Sequence, residues 1–195
     1  LSNGLSGAEI AEKMLNDHGI HDVRIESVAG KLTDHYNPAN KTVNLSPEVY
    51  GGRSVSAAAV AAHEVGHAVQ HATGYKWLEM RSQLVPVAQL SGKIMNIVLW
   101  SMILGMSILK IFDMNTVIWV LIAAQAVITV VSVVTLPVEY DASNRALIWL
   151  TTSGTVTTSE HDKAKDALTW AARTYLVAAL ASLTQLAYYF SLLRD

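Results

Sequence analysis

Three apolar stretches of about twenty residues each constrain the fold of this chain more than any other feature of its sequence. They run from Ile94 to Phe112, from Val117 to Leu136 and from Tyr175 to Leu193, and they carry almost no charge. A helix of this length crosses the hydrocarbon core of a bilayer, and it is longer than a typical buried helix. We therefore predict three transmembrane helices, with a buried helical core as the alternative.

The composition also fits a membrane protein. Hydrophobic residues make up 51% of the 195 residues, charged residues make up 15%, and the mean hydropathy is +0.30. A lipid bilayer is therefore an expected partner. The net charge of -2 and the lack of a basic stripe argue against binding to nucleic acid. Because the chain has no cysteine, any bound metal must be held by His, Asp or Glu.

The first two predicted spans are separated only by residues 113–116, so they must form a tight helical hairpin. The outer ends of such a hairpin return to the same side of the membrane. The sequence before the first span and the segment Pro137–Asp141 after the second therefore emerge at one membrane face, where their side chains can meet.

Basic residues predict which side that face occupies. The face shared by residues 1–93 and 137–173 carries, among other basic residues, Lys76, Arg81, Lys93, Arg145, Lys163, Lys165 and Arg173. Lys110 is near the hairpin tip, and Arg194 follows the third span on the other side. Because cytoplasmic loops are enriched in Lys and Arg, we predict a multi-pass protein of the cell membrane with this face in the cytoplasm.

Residues 1–90 are predicted to form a small α+β unit. A helix begins after an N-cap at Ser6, and Gly19 ends it. Three strands follow at 23–28, 31–36 and 41–45, and the last two form a β-hairpin around the turn 37–40. The hairpin leads to an Ala-rich helix from Ser54 to Thr73. The β-hairpin either offers an edge strand to an extended peptide or merely covers the Ala-rich helix.

The fold class predicted for the whole chain is a mainly helical α+β membrane protein. Its expected parts are the unit 1–90, a transmembrane hairpin at 91–136, a cytoplasmic helical segment at 137–173 and a transmembrane helix at 174–195. We find no internal repeat and no linker that would separate independent domains.

The Ala-rich helix contains an H-E-x-x-H motif formed by residues 63–67. His63 and His67 are four residues apart, so they lie on one helical face and can bind one zinc ion. Glu64 lies beside them, where its carboxylate can take a proton from a zinc-bound water. The motif predicts metal-assisted peptide hydrolysis, and the alternative is a helix with two incidental histidines.

A hydrolytic zinc site needs a third protein ligand and one open position. Glu139 is the best candidate, because a carboxylate at the end of a membrane span is costly unless something compensates it. Asp141 is the second candidate, and a surface ion pair between Glu139 and Arg145 is the competing explanation. His71 lies only one turn beyond His67, so we expect it to cap or pack instead of binding metal.

Four segments together make the chain resemble the YugP-like family of membrane zinc metallopeptidases. They are residues 32–38 (LTDHYNP), 62–71 (AHEVGHAVQH), 81–86 (RSQLVP) and 136–143 (LPVEYDAS). The resemblance implies a membrane-bound peptidase of the gluzincin type that uses one zinc ion per chain. It also implies His63, His67 and Glu139 as zinc ligands and Glu64 as the catalytic acid and base.

The resemblance is incomplete at two positions. Tyr140 stands where Phe is frequent in the family, and Ser143 stands where gluzincins usually place a carboxylate four residues after the ligand glutamate. Asp141, Ser143 and Asn144 are therefore the candidates for orienting a zinc-bound histidine. Family members usually carry a further N-terminal membrane helix, which would fit a chain that begins with Leu1 and not Met.

The predicted function is a zinc-dependent endopeptidase that acts on a peptide or protein substrate. Candidates for stabilising the oxyanion are His35, Tyr140 and Arg145, although His35 is also expected to bond nearby backbone. Two alternatives stay open. A site-2-type protease would bury the motif in a spanning helix, but polar residues flank residues 54–73. A non-catalytic zinc-binding membrane scaffold would have no need of Glu64.

Overall fold

The computed structural model describes residues 1–104 and 113–193. Lys110, the end of the first predicted span and Arg194 lie outside the described residues. The described part is mainly helical with one small sheet, as predicted. Its elements are α1 (Gly7–Asp17), β1 (Arg24–Ser27), β2 (His35–Asn37), β3 (Thr42–Leu45), α2 (Pro47–Tyr50), α3 (Val55–Ala72), α4 (Lys76–Ile103), α5 (Met114–Thr152) and α6 (Thr158–Ser191).

Helix α1 begins at a capping box formed by Ser6 and Glu9. The Ser6 hydroxyl accepts from the backbone N–H of Glu9, and the Glu9 carboxylate accepts from the backbone N–H of Ser6. After the helix, Gly19 adopts a φ of 67°, a conformation that favours glycine. The N-cap and the stop predicted for this helix are both confirmed.

The sheet has the strand order β1-β3-β2, with β1 parallel and β2 antiparallel to β3. The predicted hairpin of the last two strands is therefore confirmed. The strand predicted at 31–36 is wrong over residues 31–34, because Gly30 has a φ of 114° and Leu32 has a φ of 56°. These left-handed conformations turn the chain, so β2 begins only at His35 and forms one edge of the sheet.

Helix α3 is the helix predicted at 54–73. The Ser54 hydroxyl accepts from the backbone N–H of Ala57, which satisfies one of the free donors of the first turn. The helix packs against α5 without an intervening side chain at Gly66. A Cβ atom at Gly66 would lie 2.7 Å from the carbonyl oxygen of Ala142 and 3.2 Å from its Cα. Only glycine allows the two helices to approach this closely.

The described residues divide into two compact units. One consists of 1–78 and 137–173, and the other consists of 79–136 and 174–195. The first unit has a core built around α1, β3, α3 and the end of α5, in which Ile10, Met14, Leu45, Val65 and Leu150 are almost fully buried.

The second unit contains a smaller apolar cluster and a buried polar one. Ile118, Leu121, Ile122 and Tyr189 form the apolar cluster. In the polar cluster, the Gln125 amide donates to the Ser182 hydroxyl at 3.0 Å, and the hydroxyls of Thr129 and Ser182 are 2.8 Å apart. Such contacts join helices in an apolar environment, where an unpaired polar group is costly.

Among the described residues, one helix is long and apolar enough to cross a membrane. It is α5, with a mean hydropathy of 2.6 over its most apolar window. The prediction of three transmembrane helices is therefore not confirmed. The second predicted span lies in α5. Helix α5 also continues through Pro137 to Thr152, so the second span and the segment after it form one helix.

We predict that Gly66→Ala destabilises the protein by about 1–2 kcal/mol. Overpacking lowers the free energy of unfolding by about 1–3 kcal/mol, and the higher helix propensity of alanine offsets at most about 1 kcal/mol of this loss. Gly92 in α4 has nothing within 4 Å of an added Cβ, so Gly92→Ala is the matched control and should stabilise slightly. Thermal unfolding in detergent measures both. Equal stabilisation by the two substitutions would contradict a tight contact at Gly66.

Candidate metal centre

Three side chains that could hold a metal ion converge in the first unit. The ligand atoms of His63, His67 and Glu139 lie within 4.8 Å of one another, and all three residues are buried. Oε2 of Glu139 is 3.2 Å from Nε2 of His63 and 3.6 Å from Nε2 of His67. His35, His71 and Asp141 do not belong to this group of donors.

The spacing of these atoms fits a zinc ion. Ligands about 2.0–2.1 Å from a tetrahedral zinc lie roughly 3.3–3.4 Å from each other. The two separations between Glu139 and the histidines bracket that value. Two imidazoles and one carboxylate are also the donor set of many hydrolytic zinc sites, in which a fourth position stays open. The residues present therefore fit a zinc ion in their chemistry and in the distance of the Glu139 carboxylate from each imidazole.

The helices explain why the three residues meet. The four-residue spacing places His63 and His67 on one face of α3. On α5, Glu139 lies one turn before Ala142, the residue whose backbone touches Gly66. The close contact at Gly66, between the two histidines in sequence, thus brings the carboxylate to both imidazoles.

The charge in the site also favours a cation. Glu64 and Glu139 are 7% and 1% exposed, so two carboxylates lie in a largely water-free environment. Burial lowers the pKa of His67, but the carboxylate of Glu139, 3.6 Å from Nε2, and the negative charge of Glu64 outweigh that effect. The pKa of His67 consequently lies above its ordinary value, which reports an environment that stabilises positive charge.

Each histidine has a second polar partner on its Nδ1 atom. Nδ1 of His63 lies 3.1 Å from the hydroxyl of Ser143, and Nδ1 of His67 lies 3.0 Å from Oε1 of Gln70. Ser143 was one of the three candidates for this position, whereas Gln70 was missed. Its spacing of three residues from His67 was the available signal, since it places both side chains on one helical face.

Gln70 connects the histidine to helix α5. Its amide nitrogen donates to the carbonyl oxygen of Val138 and to Oδ2 of Asp141, both at 2.8 Å. The same Asp141 oxygen accepts from Nε of Arg145 at 2.6 Å. Arg145 therefore forms an ion pair with Asp141.

Glu64 is held by the edge strand. Its Oε2 accepts from the backbone N–H of Tyr36 in β2 at 3.0 Å. The Tyr36 hydroxyl in turn contacts Nδ1 of His71 at 2.8 Å, so strand β2 is attached to α3 at two points. Burial raises the pKa of the Tyr36 phenol above its ordinary value. Tyr36 was not a sequence candidate, because its contact with Glu64 is made by the backbone.

The remaining candidates are exposed or make contacts with other groups. His35 is exposed, and its Nδ1 lies 2.7 Å from the carbonyl oxygen of Thr33, the backbone contact expected as its alternative role. Tyr140 is 45% exposed, and Asn144 is exposed on the same helix. Arg145 lies over the ring of Tyr75 while it bonds Asp141.

Comparisons with known proteins identify the family of the chain. The family model described as "Putative neutral zinc metallopeptidase" matches residues 1–194. A curated relative from Bacillus subtilis (strain 168), named "Putative membrane protease YugP", is 40% identical over 186 residues, which cover 95% of this chain and 79% of the relative. No solved structure matches the chain. The chain therefore belongs to the family described as "Putative neutral zinc metallopeptidase", as the sequence motifs predicted.

Proposed function

We propose that this protein is a membrane-bound zinc endopeptidase of the gluzincin type. The observation that supports this most strongly is the buried group formed by His63, His67 and Glu139, with a second carboxylate, Glu64, next to His63 in sequence. A structural zinc site usually has four protein ligands, whereas this group has three and leaves one position for water or substrate.

His63, His67 and Glu139 would hold the zinc ion. When bound there, zinc supplies a Lewis acid that acidifies water and polarises the scissile carbonyl. The protein contributes burial and orientation. Ser143 and Gln70 fix the two imidazole rings through their Nδ1 atoms, which leaves both Nε2 atoms directed towards Glu139.

Glu64 is the proposed general base. The N–H of Tyr36 holds one of its carboxylate oxygens, so the side chain has a fixed orientation before substrate binds. Glu64 takes a proton from the attacking water and returns it to the leaving amine. Strand β2 is an edge strand beside α3, and we infer that an extended substrate lies along it.

The membrane arrangement that we propose has three spans, of which α5 supplies the second, and a cytoplasmic metal site. The name of the Bacillus relative refers to a membrane protease. The apolar part of α5 and the predominance of basic residues in 1–93 and 137–173 support the proposed orientation. Helix α3 is not a candidate span among the described residues, which argues against a site-2-type protease.

The first prediction concerns the metal. Purified protein should contain about one zinc per chain, and His63→Ala/His67→Ala should lose it, because two of three ligands are removed. Metal analysis before and after chelation measures this. Glu139→Ala should also lose stoichiometric zinc, whereas Asp141→Ala should weaken binding by about 10- to 100-fold.

His21→Ala, a substitution of an exposed histidine, is the control for these variants. Stoichiometric zinc in the double histidine variant would refute the site. A larger loss in Asp141→Ala than in Glu139→Ala would transfer the ligand role to Asp141.

The second prediction separates an enzyme from a scaffold. Glu64→Gln keeps an oxygen that can accept from Tyr36, so the variant should fold and bind zinc. It lacks a base, so peptide hydrolysis should fall by about 100- to 10,000-fold. Glu12→Gln, at an exposed position of α1, is the control. Cleavage of a model substrate at the parental rate by Glu64→Gln would show that Glu64 is not the base.

The third prediction concerns orientation, and the cysteine-free chain makes it testable. Asn115→Cys and Lys163→Cys place single thiols at exposed positions on opposite proposed sides of the membrane. A membrane-impermeant maleimide should label Asn115→Cys in intact cells and Lys163→Cys only after permeabilisation. The reverse pattern would overturn the orientation, and equal labelling of both thiols in intact cells would contradict a span between them.

A further inference from the structure

We propose that Gln70 is a positioning residue that fixes His67 in the tautomer able to bind metal. The proposal rests on the zinc site described above, because it concerns one of the proposed ligands. Gln70 lies one turn after His67 on α3 and is fully buried at 0% exposure. Burial of a polar side chain destabilises the folded protein unless each of its polar atoms forms a hydrogen bond.

Two neighbouring acceptors fix the orientation of the Gln70 amide. One end of the amide faces the Val138 carbonyl oxygen and Oδ2 of Asp141, each at 2.8 Å. Both neighbours accept hydrogen bonds, since one is a peptide carbonyl and the other a carboxylate. The end that faces them must be the NH2 group, because a flipped amide would place oxygen against oxygen twice.

The orientation of the Gln70 amide determines which nitrogen of His67 carries the proton. Because the NH2 group faces α5, the Gln70 carbonyl oxygen faces Nδ1 of His67 at 3.0 Å. An oxygen can only accept there, so Nδ1 must carry the proton. A neutral imidazole has one N–H, and Nε2 therefore keeps its lone pair. That lone pair points into the donor group, where Nε2 lies 3.6 Å from Oε2 of Glu139.

Asp141 and Arg145 influence the strength of the hydrogen bond between Gln70 and His67. The Asp141 carboxylate accepts from the Gln70 amide and polarises it, so the amide oxygen becomes a better acceptor for His67. A stronger acceptor at Nδ1 increases the basicity of Nε2 as a ligand. Arg145 bonds the same Asp141 oxygen at 2.6 Å and compensates its charge.

Gln70 also connects two halves of the site that are distant in sequence. It contacts His67 on α3 and the carbonyl oxygen of Val138, the residue before Glu139, on α5. One side chain therefore sets the protonation pattern of one ligand and the position of the helical turn that carries another. Ser143 does not determine the tautomer of His63 in this way, because a hydroxyl can either donate or accept.

The first experiment observes the tautomer directly. Histidine nitrogens are labelled with 15N, zinc is removed, and the NMR signals of neutral His67 are assigned by their loss in His67→Ala. We expect His67 to be protonated at Nδ1 in the parent protein and to lose this preference in Gln70→Met. A parent protein with its proton on Nε2 would overturn the proposal, and this measurement does not require that zinc binds.

The second experiment measures zinc affinity by competition with a chromophoric chelator. Gln70→Met, which has a similar volume but no amide, should raise the zinc Kd by about 10- to 100-fold. Gln83→Met, at an exposed position of α4, is the matched control and should bind like the parent. Parental zinc affinity in Gln70→Met would overturn the proposal, whereas a parent that binds no zinc would refute the proposed function.

A paired substitution distinguishes hydrogen bonding from packing. Gln70→Glu keeps an acceptor for His67 but places a carboxylate against Asp141, so zinc affinity should fall by about 10- to 100-fold. Gln70→Glu/Asp141→Asn provides an amide donor at 141, and the pair should bind zinc about tenfold more tightly than Gln70→Glu alone. Equal affinities would overturn the proposal, because packing at Gln70 is the same in both variants.

Discussion

The contact between Gly66 and the backbone of Ala142 is the constraint on which the candidate site depends. The Cβ-to-oxygen distance of 2.7 Å that a side chain would create leaves no room for any other residue. Because Glu139 and Ser143 lie on either side of Ala142 on α5, this approach brings the candidate ligand Glu139 and the hydroxyl of Ser143 to the histidines of α3 together. The fourth residue of the H-E-x-x-H motif thus has a packing reason to be glycine.

Local features of the fold were predictable because they depend on neighbouring residues. The N-caps at Ser6 and Ser54 and the glycine stop of α1 follow from side-chain and backbone contacts within a few residues. The length of β2 was not predictable, because it depends on a left-handed conformation at Leu32 that the sequence pattern does not indicate. Helix α5 continued through Pro137 since tertiary packing can offset the lost backbone bond.

The candidate site was predictable to the extent that its chemistry is carried by motifs. Residues 63–67 indicated two ligands by spacing alone, and Glu139 followed from its position after an apolar span. Gln70 and Tyr36 could not be found in this way. Gln70 gains its role from partners 68 and 71 residues away, and Tyr36 uses its backbone, which every residue type shares. The spacing of Gln70 from His67 indicates only a shared helical face, and the sequence pattern indicates neither its partners on α5 nor the backbone donor at Tyr36.

Electrostatics link the metal site to the stability of the first unit. Glu64 and Glu139 are both buried, and burial of carboxylates is costly unless positive charge or hydrogen bonds compensate it. The two imidazoles and the N–H of Tyr36 provide part of that compensation. A divalent cation would provide the remainder while bonding the lone pair that Gln70 directs inward on His67. Since α3 and α5 each contribute candidate ligands, binding of a metal at the proposed site would be coupled to the packing of these two helices.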